Sequence, residues 1–167
     1  MTAGARSALT LLGLGLLLVV ATLWGWAALT QPLPEDEAVP ICESTPVTAG
    51  TEVRRDQVVV SVFNGSERSG LAGATMAQLT ERGFVEGDLG DSPQQAKATQ
   101  IWSSDPTDPS ALLVQRQFKG ARIVDGDELG VGVVVVVGAN FQTLKPKQVE
   151  SVVVESDSSF CKATGSD

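Results

Sequence analysis

The chain has 167 residues, with 12 Lys+Arg, 20 Asp+Glu and no His, for a formal net charge of −8. The missing His excludes Ser-His-Asp and Cys-His catalysis and most zinc sites, and the missing Tyr removes a further acid/base and sugar-stacking residue. Beyond residue 30 the balance is 11 basic against 20 acidic, so there is no basic stripe for nucleic acid, and two Cys are too few for a cysteine-only metal site.

The N-terminus reads as a membrane anchor. Residues 1–7 form a short cytoplasmic tail with one charge, Arg6, and residues 8–29 form an uncharged run rich in Leu, Val, Ala and Gly. Such a helix rises roughly 33 Å, enough for a hydrocarbon core of about 30 Å. Trp24 and Trp26 sit at its far end as half of an aromatic belt, and Arg6 before the span sets the N-terminus inside and the body outside. The rival is a cleaved signal peptide, with Leu11–Leu23 as apolar region and cleavage after Ala28. Trp26 would then fill a position that wants a small residue. A lipoprotein reading of Val39-Pro40-Ile41-Cys42 meets a large Ile before the Cys.

Residues 30–55 read as a Pro-rich extracytoplasmic linker, with Pro32, Pro34, Pro40 and Pro46 among acids and Thr. Val58–Phe63 is β-branched and apolar, a buried strand. Asn64-Gly65 marks a turn. Gly70–Arg82 carries Leu71, Ala72, Thr75, Met76 and Leu79 on one helical stripe, with Ser69 expected as N-cap. Gly83 and Phe84 predict a Schellman stop.

A short strand at Phe84-Val85 is expected to fade into Gly87, Gly90 and Pro93, and Ala98–Trp102 predicts the next strand. Asp108-Pro109 predicts the start of a second helix running to about Lys119 and ended by Gly120. Val131–Val137 is an unbroken apolar strand, placed centrally. Val149–Val154 predicts an edge strand within a C-terminal extension, 145–167.

The expected fold is therefore α+β: a two-layer sandwich of order β-α-β-β-α-β, two helices on one face of a small sheet, preceded by one transmembrane helix. Cys42 and Cys161 frame the body. Outside the cytoplasm they read as a structural disulfide. The alternative, a reactive thiol, lacks an activating neighbourhood, with Glu43 beside Cys42 and only Lys162 beside Cys161.

Val58–Phe63, Asn64-Gly65-Ser66, Gly70-Leu71-Ala72 and Leu79…Gly83-Phe84 resemble the opening of the LytR C-terminal domain. Ile101-Trp102, the Ala111–Phe118 helix and Val133–Val137 followed by Gly138-Ala139-Asn140-Phe141 are similar to its second half. The resemblance covers about residues 56–144. With the anchor and the paired Cys, the chain resembles stand-alone, membrane-anchored members of actinobacterial type. In the wider family this domain follows a LytR-CpsA-Psr catalytic domain that attaches glycopolymers to peptidoglycan. Residues 30–55 have no room for that enzyme, so the resemblance implies an accessory domain. The family's last strand ends in Gly-x-Asp-aromatic; Asn140 stands here without the charge.

Asn64–Gly70 is a Gly-bearing loop between strand and helix, readable as a tight turn or as a ligand loop with Asn64, Ser66, Arg68 and Ser69 as its polar groups. Trp102 is either core or, opposite Ile101 on its strand, a binding platform on the open face of the sheet. Asp125-Gly126-Asp127-Glu128 is a solvated acidic turn, too short for an EF-hand. No cofactor, metal or catalytic residue is expected.

The expected protein is a non-catalytic, single-pass envelope module that binds a wall glycan or a LytR-CpsA-Psr-type protein and supports cell-wall assembly or integrity. The alternative is a small carboxylate- or metal-dependent envelope hydrolase or transferase. The net charge of the body opposes anionic wall polymers at low salt, which favours a protein or a neutral glycan as partner.

Overall fold

The computed structural model of the protein describes residues 3–29, 41–126 and 129–166. Of the sequence readings, residues 1–2 of the tail, 30–40 of the linker and Asp127-Glu128 of the acidic turn lie outside the described residues. The chain divides into two units, Met1–Val39 and Pro40–Asp167.

The first unit contains one helix, α1 (Ala3–Leu29), covering the residues expected to span a membrane. Its described side chains, 11–26, are all exposed. Among the described residues no helix is long and apolar enough to cross a membrane. The expected transmembrane helix is in this respect not found, although α1 is helical throughout 8–29.

In the second unit the elements are β1 (Cys42–Val47), β2 (Glu52–Arg54), β3 (Val59–Asn64), α2 (Leu71–Glu81), β4 (Val85–Asp91), β5 (Gln100–Trp102), α3 (Pro109–Gln115), β6 (Arg122–Val124), β7 (Val133–Val137), β8 (Ser151–Val153) and β9 (Ser158–Ala163). The main sheet has five strands in the order β4-β3-β7-β5-β6. β3 is parallel to β4 and β7, β5 is antiparallel to β7, and β6 is parallel to β5. The Val run of β7 lies at the centre with all five residues buried, as a strand covered on both faces requires.

Alternation divides the sheet residues between two apolar clusters. Val60, Val62, Ile101, Val133, Val135 and Val137 face both helices, meeting Leu71, Met76 and Leu79 of α2 and Ala111, Leu113 and Val114 of α3. Phe63, Trp102, Val134 and Val136 face the other way and pack with Ala96, Val124 and Leu129. The two helices therefore share one face, as expected, while the opposite face is covered by loops rather than open. Ser61 is fully buried there, yet satisfied: its Oγ donates to Val131 O at 2.6 Å and accepts from Asp88 N at 2.9 Å.

The order from β3 to β7 is β-α-β-β-α-β-β, one strand more than expected. Arg122–Val124 pairs with β5 over three residues, too short a run to stand out by pattern. β4 runs seven residues, not the expected brief stub. Its glycines mark close approach, not strand decay: a side chain at Gly87 would meet Ser61 Oγ at 2.6 Å and Val59 Cγ1 at 3.1 Å. Gly70, not Ser69, is the N-cap of α2, and Ala74 N donates to its carbonyl at 3.0 Å. The Schellman stop is present, with Phe84 N donating to Leu79 O at 3.1 Å and Gly83 N to Thr80 O at 2.9 Å. Helix α3 opens as expected on Asp108 and Pro109, but ends at Gln115, after which turns carry the chain to Gly120.

Part of the stretch read as linker is folded. β1 pairs with β9 antiparallel and β2 pairs with β8, forming two short ribbons. Pro46 is tolerated because β1 has a partner on one side only. The expected C-terminal edge strand is β8, paired with β2 instead of the main sheet. The Cys42–Cys161 disulfide is formed, with Cα atoms 5.3 Å apart, and it closes the β1–β9 ribbon.

Candidate functional site

The parallel strands β3 and β7 end side by side, Asn64 opposite Val137. Ligands of open α/β sheets gather where loops leave such carboxyl ends. Four segments meet here: the loop after β3, the stretch before β5, the turn after α3 and the loop after β7.

The Asn64 side chain organises the first loop. Its Oδ1 accepts from Ser66 N at 3.1 Å and from Ser66 Oγ at 2.9 Å, and its Nδ2 donates to Arg68 O at 3.0 Å. This is an Asx turn in which both Oδ1 and Nδ2 bond within the loop, so Asn64 positions the loop. Ser66 Oγ in turn accepts from Arg68 N at 3.2 Å. Gly65 N donates to Val137 O at 3.0 Å and Ala96 N to Gly65 O at 2.7 Å, which stitches the loop to β7 and to the stretch before β5.

The loop after β7 is pinned as firmly. Ala139 N donates to Ala96 O and Asn140 N to Lys97 O, both at 2.9 Å. Phe141 is buried, with its ring 5.5 Å from that of Phe118. Leu144 N and Thr143 Oγ1 both meet Gln78 Oε1 on α2, at 3.4 and 3.2 Å. Lys145 N donates to Gln117 O at 2.8 Å, and Arg82 Nη2 donates to Lys145 O at 2.6 Å. Burial, and then the nearby Arg55, push the Arg82 guanidinium below its ordinary pKa.

Two clefts flank this stitched backbone. One, about 640 Å³, is lined by the 65–68 loop, by Gln95, Ala96 and Lys97, and by Ala139. The other, about 490 Å³, lies between Ala98-Thr99, Lys119 and residues 140–146. Arg68, Lys97, Lys119 and Lys145 thus line the two clefts, with Glu67 the sole acid among the lining residues.

The sequence-predicted residues divide accordingly. Asn64, Ser66, Arg68 and Asn140 are brought together at this end of the sheet, with Ser66 and Arg68 on one cleft and Asn140 on the other. Ser69 is exposed and lines neither. Trp102 does lie opposite Ile101 on the face away from the helices, but it is only 6% exposed. Its Nε1 donates to Gln100 Oε1 at 3.0 Å. Of the two readings of Trp102 the structure has the core residue, because Ala96, Gly126 and Leu129 close over this face of the sheet. Sequence reasoning missed Lys97, Lys119 and Lys145. No motif spacing marks them, and folding alone assembles them.

Among the described residues no group of three or more acidic or cysteine side chains is placed to hold a metal ion.

A family model described as LytR cell envelope-related transcriptional attenuator matches residues 57–141, the segment from β3 through the loop after β7. No curated protein matches the chain. Among solved structures, the soluble domain of a conserved hypothetical secreted protein from Mycobacterium marinum is similar at 21% identity and a TM-score of 0.49, covering 65% of this chain and 78% of that one.

Proposed function

We propose, since the chain belongs to the LytR cell envelope-related transcriptional attenuator family, that it is a non-catalytic, membrane-anchored envelope protein binding a wall glycan or a glycopolymer-attaching protein. In that role it supports cell-wall assembly or integrity. The observation that carries this reading is the family match itself, which spans the whole five-stranded sheet and both its helices.

Three further features support it. The Cys42–Cys161 bond suits an extracytoplasmic domain. The uncharged run 8–29 and its terminal Trp pair suit a single-pass anchor with the body outside. The clefts at the carboxyl ends of β3 and β7 offer amide, hydroxyl and cationic groups, the chemistry that holds a sugar or a partner loop. The second reading, a carboxylate-dependent hydrolase or transferase, would need convergent acids in a cleft; Glu67 is the one carboxylate lining either of these two.

The test is co-sedimentation of the detergent-solubilised, oxidised chain with purified cell-wall sacculi, before and after their glycopolymers are stripped. Binding that survives stripping assigns peptidoglycan, and binding lost on stripping assigns the polymer. Absence of binding to both rejects a direct wall ligand and leaves the protein partner.

A further inference from the structure

The net charge of −8 argues against an anionic ligand. The placement of the charges argues the other way. Screening in physiological salt confines each charge to about 8 Å, so a bound group responds to its cleft and not to the whole body. The cleft between Ala98-Thr99, Lys119 and residues 140–146 has two lysines among its lining residues and no carboxylate. Neither Lys119 nor Lys145 has an acidic partner among the described residues, whose ion pairs are Arg54–Asp56 and Arg55–Glu150.

We infer that this cleft binds the anionic group of a charged saccharide, a phosphate or a uronate, through Lys119 and Lys145. The inference rests on the glycan branch of the proposed function and narrows its ligand class. Four features of the site fit that chemistry. Asn140, Gln142 and Thr143 add amide and hydroxyl groups, which pair with sugar hydroxyls. Phe141 and Leu144, only 8% and 3% exposed, give the cleft an apolar floor.

The rim is also preorganised. Lys145 is held through its own main chain by Gln117 and Arg82, Thr143 and Leu144 by Gln78, and Asn140 by Lys97 O. The main chain of the rim therefore needs little ordering on binding, and the cost that remains is the rotamer freedom of the Lys119 and Lys145 side chains. Finally, Arg68 and Lys97 line the adjoining cleft across the same stitched backbone, so a chain with repeated anionic groups would meet cations on both sides.

The experiment is titration of the full chain in detergent with one tetrasaccharide in three forms: unmodified maltotetraose, its phosphate ester and its uronate. The variants are K119Q/K145Q and, outside both clefts, K147Q. The expected result is binding of one or both anionic forms and not of the neutral form. K119Q/K145Q weakens that binding about tenfold or more and flattens its salt dependence, whereas K147Q leaves it unchanged.

Comparison of the two anionic arms then tells phosphate from carboxylate. Equal binding of all three forms would overturn the inference and leave a neutral-glycan function standing, and anion-selective binding indifferent to K119Q/K145Q would overturn the assignment to this cleft. No binding of any form also overturns it. The sacculus assay then decides separately whether the wall reading survives. Circular dichroism matching the parent shows that the double variant is folded.

Discussion

The Arg68 guanidinium donates from Nη1 to the main-chain oxygen of Phe141 at 2.5 Å, tying the loop after β3 to the loop after β7. This side chain adds to the backbone hydrogen bonds through Gly65, Ala96 and Ala139 that hold the two clefts together. Arg68→Ala is expected to lower stability by about 1 kcal/mol, the lower range for a hydrogen bond to a charged group at a partly exposed site. Urea unfolding measures it. Arg68→Lys keeps the charge but loses the fork of donors. It should therefore show most of the stability loss with little change in binding of anionic saccharide. A binding loss equal to that of Arg68→Ala would mean that Arg68 contacts the ligand itself.

The turn that follows Asn64 has no room for a side chain at its second residue. A methyl group at Gly65 would lie 2.7 Å from Val136 Cγ1 and 3.2 Å from Ala96 Cβ. Val136 is fully buried in the central strand and has nowhere to go. Gly65→Ala is expected to cost about 1–3 kcal/mol, as overpacking does, seen as a lower urea midpoint with unchanged slope. Adding Val136→Ala should recover part of that loss, because the two changes share one contact. A neutral Gly65→Ala would show that the loop does not lie on β7.

These two contacts indicate what a linear reading reaches. Strands β3 and β7, the stripe on α2, its Schellman stop and the Asp108-Pro109 cap are written locally, in β-branched runs and cap residues whose effect spans a few positions. Asn64, Ser66, Arg68 and Asn140 stand out as candidates because they border those strong elements, and the structure places them at one end of the sheet. Lys119 and Lys145 do not stand out, since what unites them is the return of the chain after β7 against Gln117 and Arg82, a relation across 28 and 63 residues. Trp102 shows the converse. Period-two alternation placed it on the correct face, but alternation says nothing of what covers that face. The β1–β9 ribbon escaped for a similar reason: Pro46 and scattered acids read as linker when the strand partner lies more than 100 positions away.

That ribbon sets the expected weight of the disulfide. Cys42 and Cys161 are 119 positions apart, and Val58, the residue just before β3, bridges to Lys162 beside the bond. In the chain-entropy model, closing a loop of this size contributes up to about 5 kcal/mol by restricting the unfolded chain. Cys42→Ser/Cys161→Ser is expected to lose several kcal/mol, and dithiothreitol should bring the parent down to the same urea midpoint without affecting the double variant. A parent midpoint insensitive to dithiothreitol, with the thiols shown to be free, would mean that the core holds the ribbon unaided.

The carboxyl of Asp108 presents a conflict that pH can expose. Its Oδ1 caps α3, accepting from Ser110 N at 2.8 Å and from Ser110 Oγ at 2.6 Å. Burial nevertheless outweighs those hydrogen bonds and raises its pKa above the ordinary 3.8. With the folded value above the unfolded one, the native state binds the extra proton inside that window. Stability owed to this group is therefore highest below the window and falls as pH rises through it. Asp105 has the opposite sign: hydrogen bonds from Thr107 lower its pKa, so its contribution is lost as pH falls through the folded value. Subtraction isolates Asp108. Asn retains the capping oxygen and cannot ionise, so Asp108→Asn should match the parent at low pH and exceed it increasingly as pH rises through the window. Asp108→Ala should be less stable by about 1 kcal/mol for loss of the cap. Urea midpoints from about pH 3 to pH 8 supply the difference curves. A parent that gains on Asp108→Asn as pH rises would show that the hydrogen bonds outweigh burial at this cap.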